Sequence, residues 1–177
     1  SAIENGVKSF NQIDSHPNQV IAELKQIGCR QANQAAGFGD FQPRHVFIKD
    51  IANKTDDDLL QEFNQEWRRN IKKAQSALVE VRVAEFKDLP IFHKLYKETA
   101  VRDGFRPRPL SYFEKMYTSL NNELSELRIY LASVNEEFHA ATIWVRVKNR
   151  VWYSYGASST SGRDFRPSNA IQWKMIQ

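Results

Sequence analysis

The longest helical pattern lies in residues 55–78, where apolar side chains recur every three to four positions. Thr55 is a suitable N-cap residue, and three aspartates follow it in the first turn. The apolar positions are Leu59, Phe63, Trp67, Ile71 and Ala74. This spacing predicts one long amphipathic helix, and its last turns are basic.

A strand and two helices are predicted next. Residues 78–83 alternate as a strand does, and a helix begins near Asp88 and continues until Gly104 interrupts its pattern. Arg108 then stands between two prolines in a stiff turn. The apolar side of the first helix holds Ile91, Phe92, Leu95 and Thr99, and the second helix carries Tyr112, Phe113, Met116 and Tyr117.

Three antiparallel strands and a last helix complete the pattern. The strands are predicted at residues 127–134, 138–147 and 151–155, joined by short polar turns. A polar loop, residues 156–167, leads to a helix that Ser168 would cap. The order of strand, two helices, three strands and helix matches an N-acetyltransferase-like fold of the mixed α/β (α+β) class, in which a parallel strand is expected next.

The first fifty residues have the pattern of the end of another domain. We expect a short strand at residues 10–14, a helix from Pro17 to Gly28 and a strand at residues 44–50. The sequence begins without an initiator methionine and stops inside an amphipathic run. We therefore expect the chain to be a piece of a longer protein.

Composition narrows the class of protein. The 177 residues are 41% apolar, which is enough for one substantial core or parts of two. The net charge of +4 indicates a mild attraction to polyanions. Cys29 is the single cysteine, and neither a membrane span nor a signal peptide is recognisable, so a reducing cytoplasmic location is predicted.

The loop at residues 156–167 is where acyl-CoA-dependent members of this fold hold a pyrophosphate on backbone amides. Only two glycines occur in it, and Pro167 removes an amide donor where one would be needed. The usual coenzyme A cradle is therefore missing.

Several stretches together resemble the FemABX family of peptidoglycan aminoacyltransferases, which use aminoacyl-tRNA in place of acyl-CoA. The stretches are Ile13-Asp14-Ser15-His16-Pro17, Gln42-Pro43-Arg44, Trp67-Arg68-Arg69-Asn70-Ile71-Lys72-Lys73-Ala74, Thr99 with Arg102-Asp103-Gly104-Phe105, Arg108 with Tyr112-Phe113, Tyr153-Ser154-Tyr155-Gly156-Ala157-Ser158-Ser159, and Gln172-Trp173-Lys174-Met175-Ile176. The resemblance implies two tandem acetyltransferase-like domains. Residues 1–54 would end the first, residues 55–78 would connect them, and residues 79–177 would begin the second.

The resemblance also implies where a muramyl-pentapeptide precursor binds. Arg108 matches a diphosphate-binding arginine, and Tyr112, one helical turn later, can donate its hydroxyl to the same ligand. A tyrosine at the end of the last strand contacts the precursor in this family, and either Tyr153 or Tyr155 could correspond to it. Because they are two residues apart, we expect their side chains to point to the same side of the strand. Asp14 resembles a substrate aspartate, although two residues separate it from Pro17.

The implied reaction transfers an amino acid from aminoacyl-tRNA to a nucleotide-linked (UDP) or lipid-linked precursor, without metal or organic cofactor. The enzyme would be a monomer in peripheral contact with the inner face of the membrane. Arg69, Lys72 and Lys73 are candidate tRNA phosphate contacts, although the negative end of their helix explains them equally well. We expect this chain alone to be inactive.

No catalytic residue is assigned. The four histidines have no partners at the spacing of a metal site or a catalytic triad. Two other functions stay open: an acyl-CoA-dependent acetyltransferase, and a non-catalytic nucleic-acid-binding module, which the basic helix and the pI near 9.2 suggest.

Overall fold

The computed structural model describes residues 21–22, 25–29 and 46–177. The chain divides into two compact units, residues 1–52 and 53–177. In the first unit, helical residues 21–22 and 25–26 precede Gly28, whose φ of 89° suits glycine at a helix end. Residues 46–50 form no strand, contrary to the prediction, and Phe47 is 98% exposed. Within the described residues, no neighbouring strand pairs with this segment. The strand predicted at residues 10–14 lies outside them.

The predicted long helix is two helices, α1 (Asp56–Glu62) and α2 (Gln65–Ser76). Thr55 caps α1 as expected. The chain turns extended at Phe63 and Asn64, and the Asn64 side chain accepts a hydrogen bond from the Trp67 amide at 2.8 Å. A short amide side chain makes a good N-cap, so it starts a new helix here. Both helices bury their apolar residues in one core, formed by Leu59, Ile71 and Trp173. The apolar positions therefore continue through the break, and their spacing gives no sign of it.

The sheet contains β1 (Glu80–Ala84), β2 (Ser125–Val134), β3 (Glu137–Val147) and β4 (Arg150–Ser158), in that spatial order and all antiparallel. These elements confirm the predicted meander, although β4 runs three residues further than expected. Asn135 and Glu136 both take positive φ, which is the backbone of a tight two-residue hairpin turn.

Two helices cover one face of the sheet, α3 (Leu89–Asp103) and α4 (Leu110–Leu120). They form the largest core with alternate residues of the strands; its fully buried members include Phe92, Phe113, Ile129, Leu131 and Ile143. Pro90 lies in the first turn of α3, and Gly104 ends the helix in the left-handed conformation with φ 75°. Both features were predicted.

Helix α5 (Pro167–Ile176) covers the other face, where Ile171 packs against Tyr130, Ala132, Ala140 and Trp144. Ser168 does not cap this helix. Arg166, in the left-handed conformation, precedes Pro167 at the first turn, and no side chain caps the helix end. Proline in the first turn needs no amide partner, which explains why a capping residue is dispensable. Among the described residues, no helix has the length and apolar character of a membrane span.

Candidate functional site

An open groove of about 860 Å³ lies beside the turn between α3 and α4. Its floor and rim combine aromatic and basic side chains. The lining residues are His93, Tyr96, Lys97, Phe105, Arg106, Pro107, Arg108 and Pro109. A ligand with negative charge would therefore meet three cationic side chains on one wall.

Arg108 is exposed, and its position is fixed from two directions. Its guanidinium carbon lies 4.6 Å from the centre of the Tyr112 ring, within the range of a cation–π contact. Its backbone carbonyl lies 3.0 Å from Nε2 of His93, which ties the turn to α3. Within the described chain, no carboxylate lies at ion-pair distance from Arg108. The guanidinium is thus held in place and is available to an anionic ligand.

The start of α4 adds a second source of positive potential. Pro109 is its N-cap, and no acidic residue occurs in its first turn. The amides at a helix N-terminus point outwards and favour anions. Arg108 directly precedes this helix end, so the side chain and the helix reinforce each other.

Tyr112, which contacts Arg108, also contacts Tyr155, as their hydroxyl oxygens lie 3.1 Å apart. The Tyr155 ring is partly buried and stands edge-on to Phe113 and Tyr96, packed against the main core. Burial, together with the hydrogen bond to Tyr112, raises the pKa of Tyr155 to about 12. The Tyr155 phenol therefore stays protonated at neutral pH, and because the two hydroxyls bond to each other, one of them has its proton left to donate to a ligand. Arg108, Tyr112 and Tyr155 therefore form one contact cluster, which is the candidate site.

Tyr153 is not part of that site, so the expectation that it shares a side with Tyr155 is wrong. Trp144 pairs with Tyr153 and the adjacent Ile143 with Tyr155, which leaves Ser154 as the extra residue of a β-bulge. Tyr153 faces α5, where its hydroxyl interacts with Thr142 and Gln172, and burial of the hydroxyl raises its pKa. The bulge changes the alternation by one residue and sends the two rings to opposite faces.

Three residues of α3 hold the end of β4. The Ser158 amide donates to Oγ1 of Thr99 at 2.9 Å, and the Arg102 guanidinium donates to the Ser158 carbonyl at 2.8 Å. The Glu98 carboxylate accepts from the Thr160 amide at 2.6 Å. Sequence reasoning included Thr99 and Arg102 in the family resemblance without assigning them a role. Their role is to position the strand that carries Tyr155.

The backbone amides after β4 are already bonded to protein groups. Those of Ser158 and Thr160 bond to α3, the Ser159 amide donates to the His139 carbonyl at 2.8 Å, and the Gly162 amide donates to Oγ of Ser159 at 3.1 Å. A pyrophosphate cradle needs such amides to point at the ligand. These four amides therefore already have protein acceptors and do not point at a ligand.

One histidine does have a partner that sequence reasoning missed. His139 is buried, and its Nδ1 lies 3.1 Å from Oγ of Ser159, which is also buried. Because that oxygen already accepts from Gly162 and is closed off from solvent, we interpret the pair as structural. Across the described residues, no group of three potential metal ligands occurs.

The predicted tRNA contacts Arg69, Lys72 and Lys73 lie exposed on α2. Arg68, beside them, has a structural role, because its guanidinium donates to the Phe63 carbonyl at 2.7 Å and closes the end of α1. Two of the three line an open pocket of about 530 Å³ on α2, with Gln65, Glu66 and Arg68. Asp14, the last predicted substrate residue, lies outside the described residues.

Comparisons with known proteins agree on one family. The model of the FemAB family matches residues 4–139. A lipid II:glycine glycyltransferase of Staphylococcus aureus is 29% identical over 224 aligned positions, which cover 89% of this chain and 53% of the relative. The enzyme of the same name from Staphylococcus epidermidis is 24% identical over 221 positions, covering 90% of this chain and 53% of the relative. This chain thus spans about half the length of the relatives it matches.

The same likeness appears among solved structures. A crystal structure described as FemX superposes with a TM-score of 0.74 at 21% identity, over 93% of this chain and 57% of that one. This confirms the acetyltransferase-like fold expected from the order of elements. With its family model matched over most of its length and its fold shared with FemX, the chain belongs to the FemAB family.

Proposed function

We propose that the protein to which this chain belongs transfers an amino acid from aminoacyl-tRNA to the stem peptide of a peptidoglycan precursor. Membership of the FemAB family and the glycyltransferase names of its relatives support this proposal. The single observation that carries it is the contact between Arg108, which lines an open basic groove, and the hydrogen-bonded pair Tyr112 and Tyr155.

The reaction is an aminolysis of an ester. An amino group of the acceptor peptide attacks the ester carbonyl of the aminoacyl-tRNA and forms an amide bond. The ester C–O bond breaks, and the terminal oxygen of the tRNA leaves as a hydroxyl with the proton that the amine gives up. Because the ester is activated, holding the two substrates together and stabilising the oxyanion supply much of the rate. The enzyme would act as a monomer in the cytoplasm, where charged tRNA is found.

The groove would hold the acceptor by its diphosphate. A guanidinium makes paired, charge-assisted hydrogen bonds to phosphate oxygens, and the N-terminus of α4 adds its positive potential. The hydrogen-bonded pair Tyr112 and Tyr155 retains one hydroxyl proton that can be donated to a neighbouring oxygen of the ligand. No catalytic role is needed for these residues, because they bind and orient the acceptor.

The test is a calorimetric titration of the protein with a muramyl-pentapeptide precursor, which measures the affinity of the precursor. Arg108→Ala removes the paired bonds, and a single charge-assisted bond contributes about 1.5–3 kcal/mol, so affinity should fall by roughly ten- to a hundredfold or more. Arg108→Lys should recover only part of this, because a point charge does not reproduce the planar fork. Arg106→Ala is the matched control, because it removes one positive charge from the same groove and leaves the guanidinium of Arg108 in place. Equal affinity in the wild type and in Arg108→Ala would refute the acceptor site.

The exposed side chains of Arg69, Lys72 and Lys73 support a donor site on α2. Replacing all three with alanine should weaken tRNA binding and flatten its salt dependence by up to roughly three units of slope. Arg68 is left unchanged in this variant because it caps α1. An unchanged slope would mean that the three cations serve only the helix end.

Acyl-CoA dependence is the main rival. We disfavour it because the amides of Ser158, Ser159, Thr160 and Gly162 already bond to protein acceptors and are not available to a pyrophosphate. A titration with coenzyme A should show no saturable binding. A bare nucleic-acid-binding module, the third possibility, would bind tRNA but not the precursor.

A further inference from the structure

One surface stripe beside the groove combines exposed apolar and basic side chains. Lys94, Lys97 and Val101 follow one another along the outer side of α3, and Phe105 and Arg106 continue the stripe into the next turn. Val101 is 85% exposed and Phe105 40% exposed. We call these five residues the α3 stripe.

The stripe has an excess of positive charge that is not neutralised locally. Two acidic residues lie close in sequence: Asp103 pairs with Arg102 at 3.0 Å, and Glu98, which accepts from the Thr160 amide, keeps its single negative charge against the three cations of the stripe. Within the described residues, Lys94, Lys97 and Arg106 form no ion pair. The stripe and Arg108 thus present four cations around two exposed apolar side chains.

This chemistry fits the surface of an anionic bilayer. Basic side chains are attracted to acidic headgroups, and short apolar side chains among them insert at the boundary of the hydrocarbon. The exposed Val101 is relevant here because it lies among basic side chains next to Phe105, and not because an exposed apolar side chain is in itself unusual.

The location of the stripe gives an independent reason. If the acceptor is lipid-linked, its diphosphate lies in the headgroup layer, because the lipid tail is anchored in the bilayer. A protein group that binds this diphosphate must then come within a few ångströms of the membrane surface. Arg108 is the diphosphate ligand in the proposed function, and Arg106 and Lys97 line the same groove.

We propose that the α3 stripe is the surface by which this protein contacts an anionic membrane, with the groove opening at the headgroup layer. The inference rests on the proposed function for the choice of a lipid-linked acceptor. It predicts that membrane contact and precursor binding use neighbouring residues of one face.

The test is co-sedimentation of this chain with vesicles that contain no precursor. Vesicles of phosphatidylcholine and phosphatidylglycerol should bind the chain, and binding should weaken with salt, whereas vesicles of phosphatidylcholine alone should bind far less. Each basic side chain near an anionic bilayer strengthens binding roughly fivefold, so the variant Lys94→Gln, Lys97→Gln, Arg106→Gln should bind roughly a hundredfold more weakly.

The matched control removes the same charge from another place. Arg69→Gln, Lys72→Gln, Lys73→Gln changes α2, which packs with α5 on the opposite side of the sheet from α3. This variant should keep most of the vesicle affinity. Equal losses in the two variants would show that net charge alone drives binding and would overturn the proposal, as would no binding by the wild type.

A direct readout of contact comes from position 101. A polarity-sensitive dye on Val101→Cys, in a Cys29→Ser background, should show a large blue shift with anionic vesicles, and the same dye at Lys73→Cys should not. A shift only at position 73 would refute the assignment of the surface. Because a soluble nucleotide-linked precursor tests Arg108 without any membrane, failure of the vesicle experiment and failure of the proposed function are separable.

Discussion

Thr99 offers a sharp test of how the site is held, because one hydroxyl links α3 to the end of the strand that carries Tyr155. Thr99 is buried, and its Oγ1 accepts from the Ser158 amide at 2.9 Å while its hydroxyl donates to the Leu95 carbonyl at 3.0 Å. Thr99→Val keeps the branched shape and removes the oxygen. The perturbation therefore isolates the hydrogen bonds.

The expected cost follows from leaving the Ser158 amide without this acceptor. A buried polar group that loses its partner costs about 1–3 kcal/mol, whereas the added methyl group recovers little. For a unit of this size, such a loss lowers the melting temperature by roughly 4–12 °C. The amides of Ser158 and Thr160 should also exchange with deuterium faster, because the end of β4 is released from α3.

Thr118→Val is the matched control. Thr118 lies on the exposed side of α4, where its hydroxyl bonds only to carbonyls of its own helix, Glu114 and Lys115. Its replacement should change the free energy of unfolding by less than about 0.5 kcal/mol. Urea denaturation of both variants decides the matter: equal stabilities would refute the role assigned to Thr99.

Two further predictions concern stability and strand geometry. The paired bonds from Arg82, at 2.8 and 3.1 Å, lower the pKa of Asp88 from 3.8 to about 2, so its carboxylate stabilises the fold above pH 4 and loses this effect as the pH falls towards 2. Asp88→Asn should therefore lower the free energy of unfolding by about 1–2 kcal/mol at pH 6, and the difference from wild type should shrink as the pH falls below 4; a difference independent of pH would contradict this. At Gly156, a Cβ atom would lie 1.8 Å from the hydroxyl oxygen of Tyr153, so Gly156→Ala should displace that ring and destabilise the fold by about 1–3 kcal/mol. When Tyr153 has first been replaced by alanine, Gly156→Ala should lower the free energy of unfolding much less. A double-mutant cycle of the two substitutions measures this difference.

The sequence predicted most of the second unit, because its strands and helices follow regular hydrophobic periods. It failed where a local side chain or a single extra residue overrode the period. Asn64 starts a new helix without disturbing the apolar spacing, so the break between α1 and α2 has no signature in hydrophobicity. The bulge at Ser154 is likewise invisible to an argument from alternation, since that argument assumes a regular strand.

The candidate site was predictable only in part. Arg108 has a local signal, because prolines flank it, and Tyr112 follows from helical spacing. The contact between Tyr112 and Tyr155 joins positions 43 apart in sequence, and no local pattern encodes it. The contacts of Glu98, Thr99 and Arg102 with the end of β4 are equally non-local, so their positioning role needed the structure.

The bulge in β4 makes the length of this strand a constraint in its own right. Deleting Ser154 would restore strict alternation and turn one half of the strand over, so that either Tyr155 and Ala157 would leave the main core or Tyr153 would leave α5. A substitution at position 154 changes one exposed side chain, whereas a deletion moves several side chains to the opposite face of the sheet. Among relatives of this chain, we therefore expect residue types at this position to vary freely while insertions and deletions in the strand are rare.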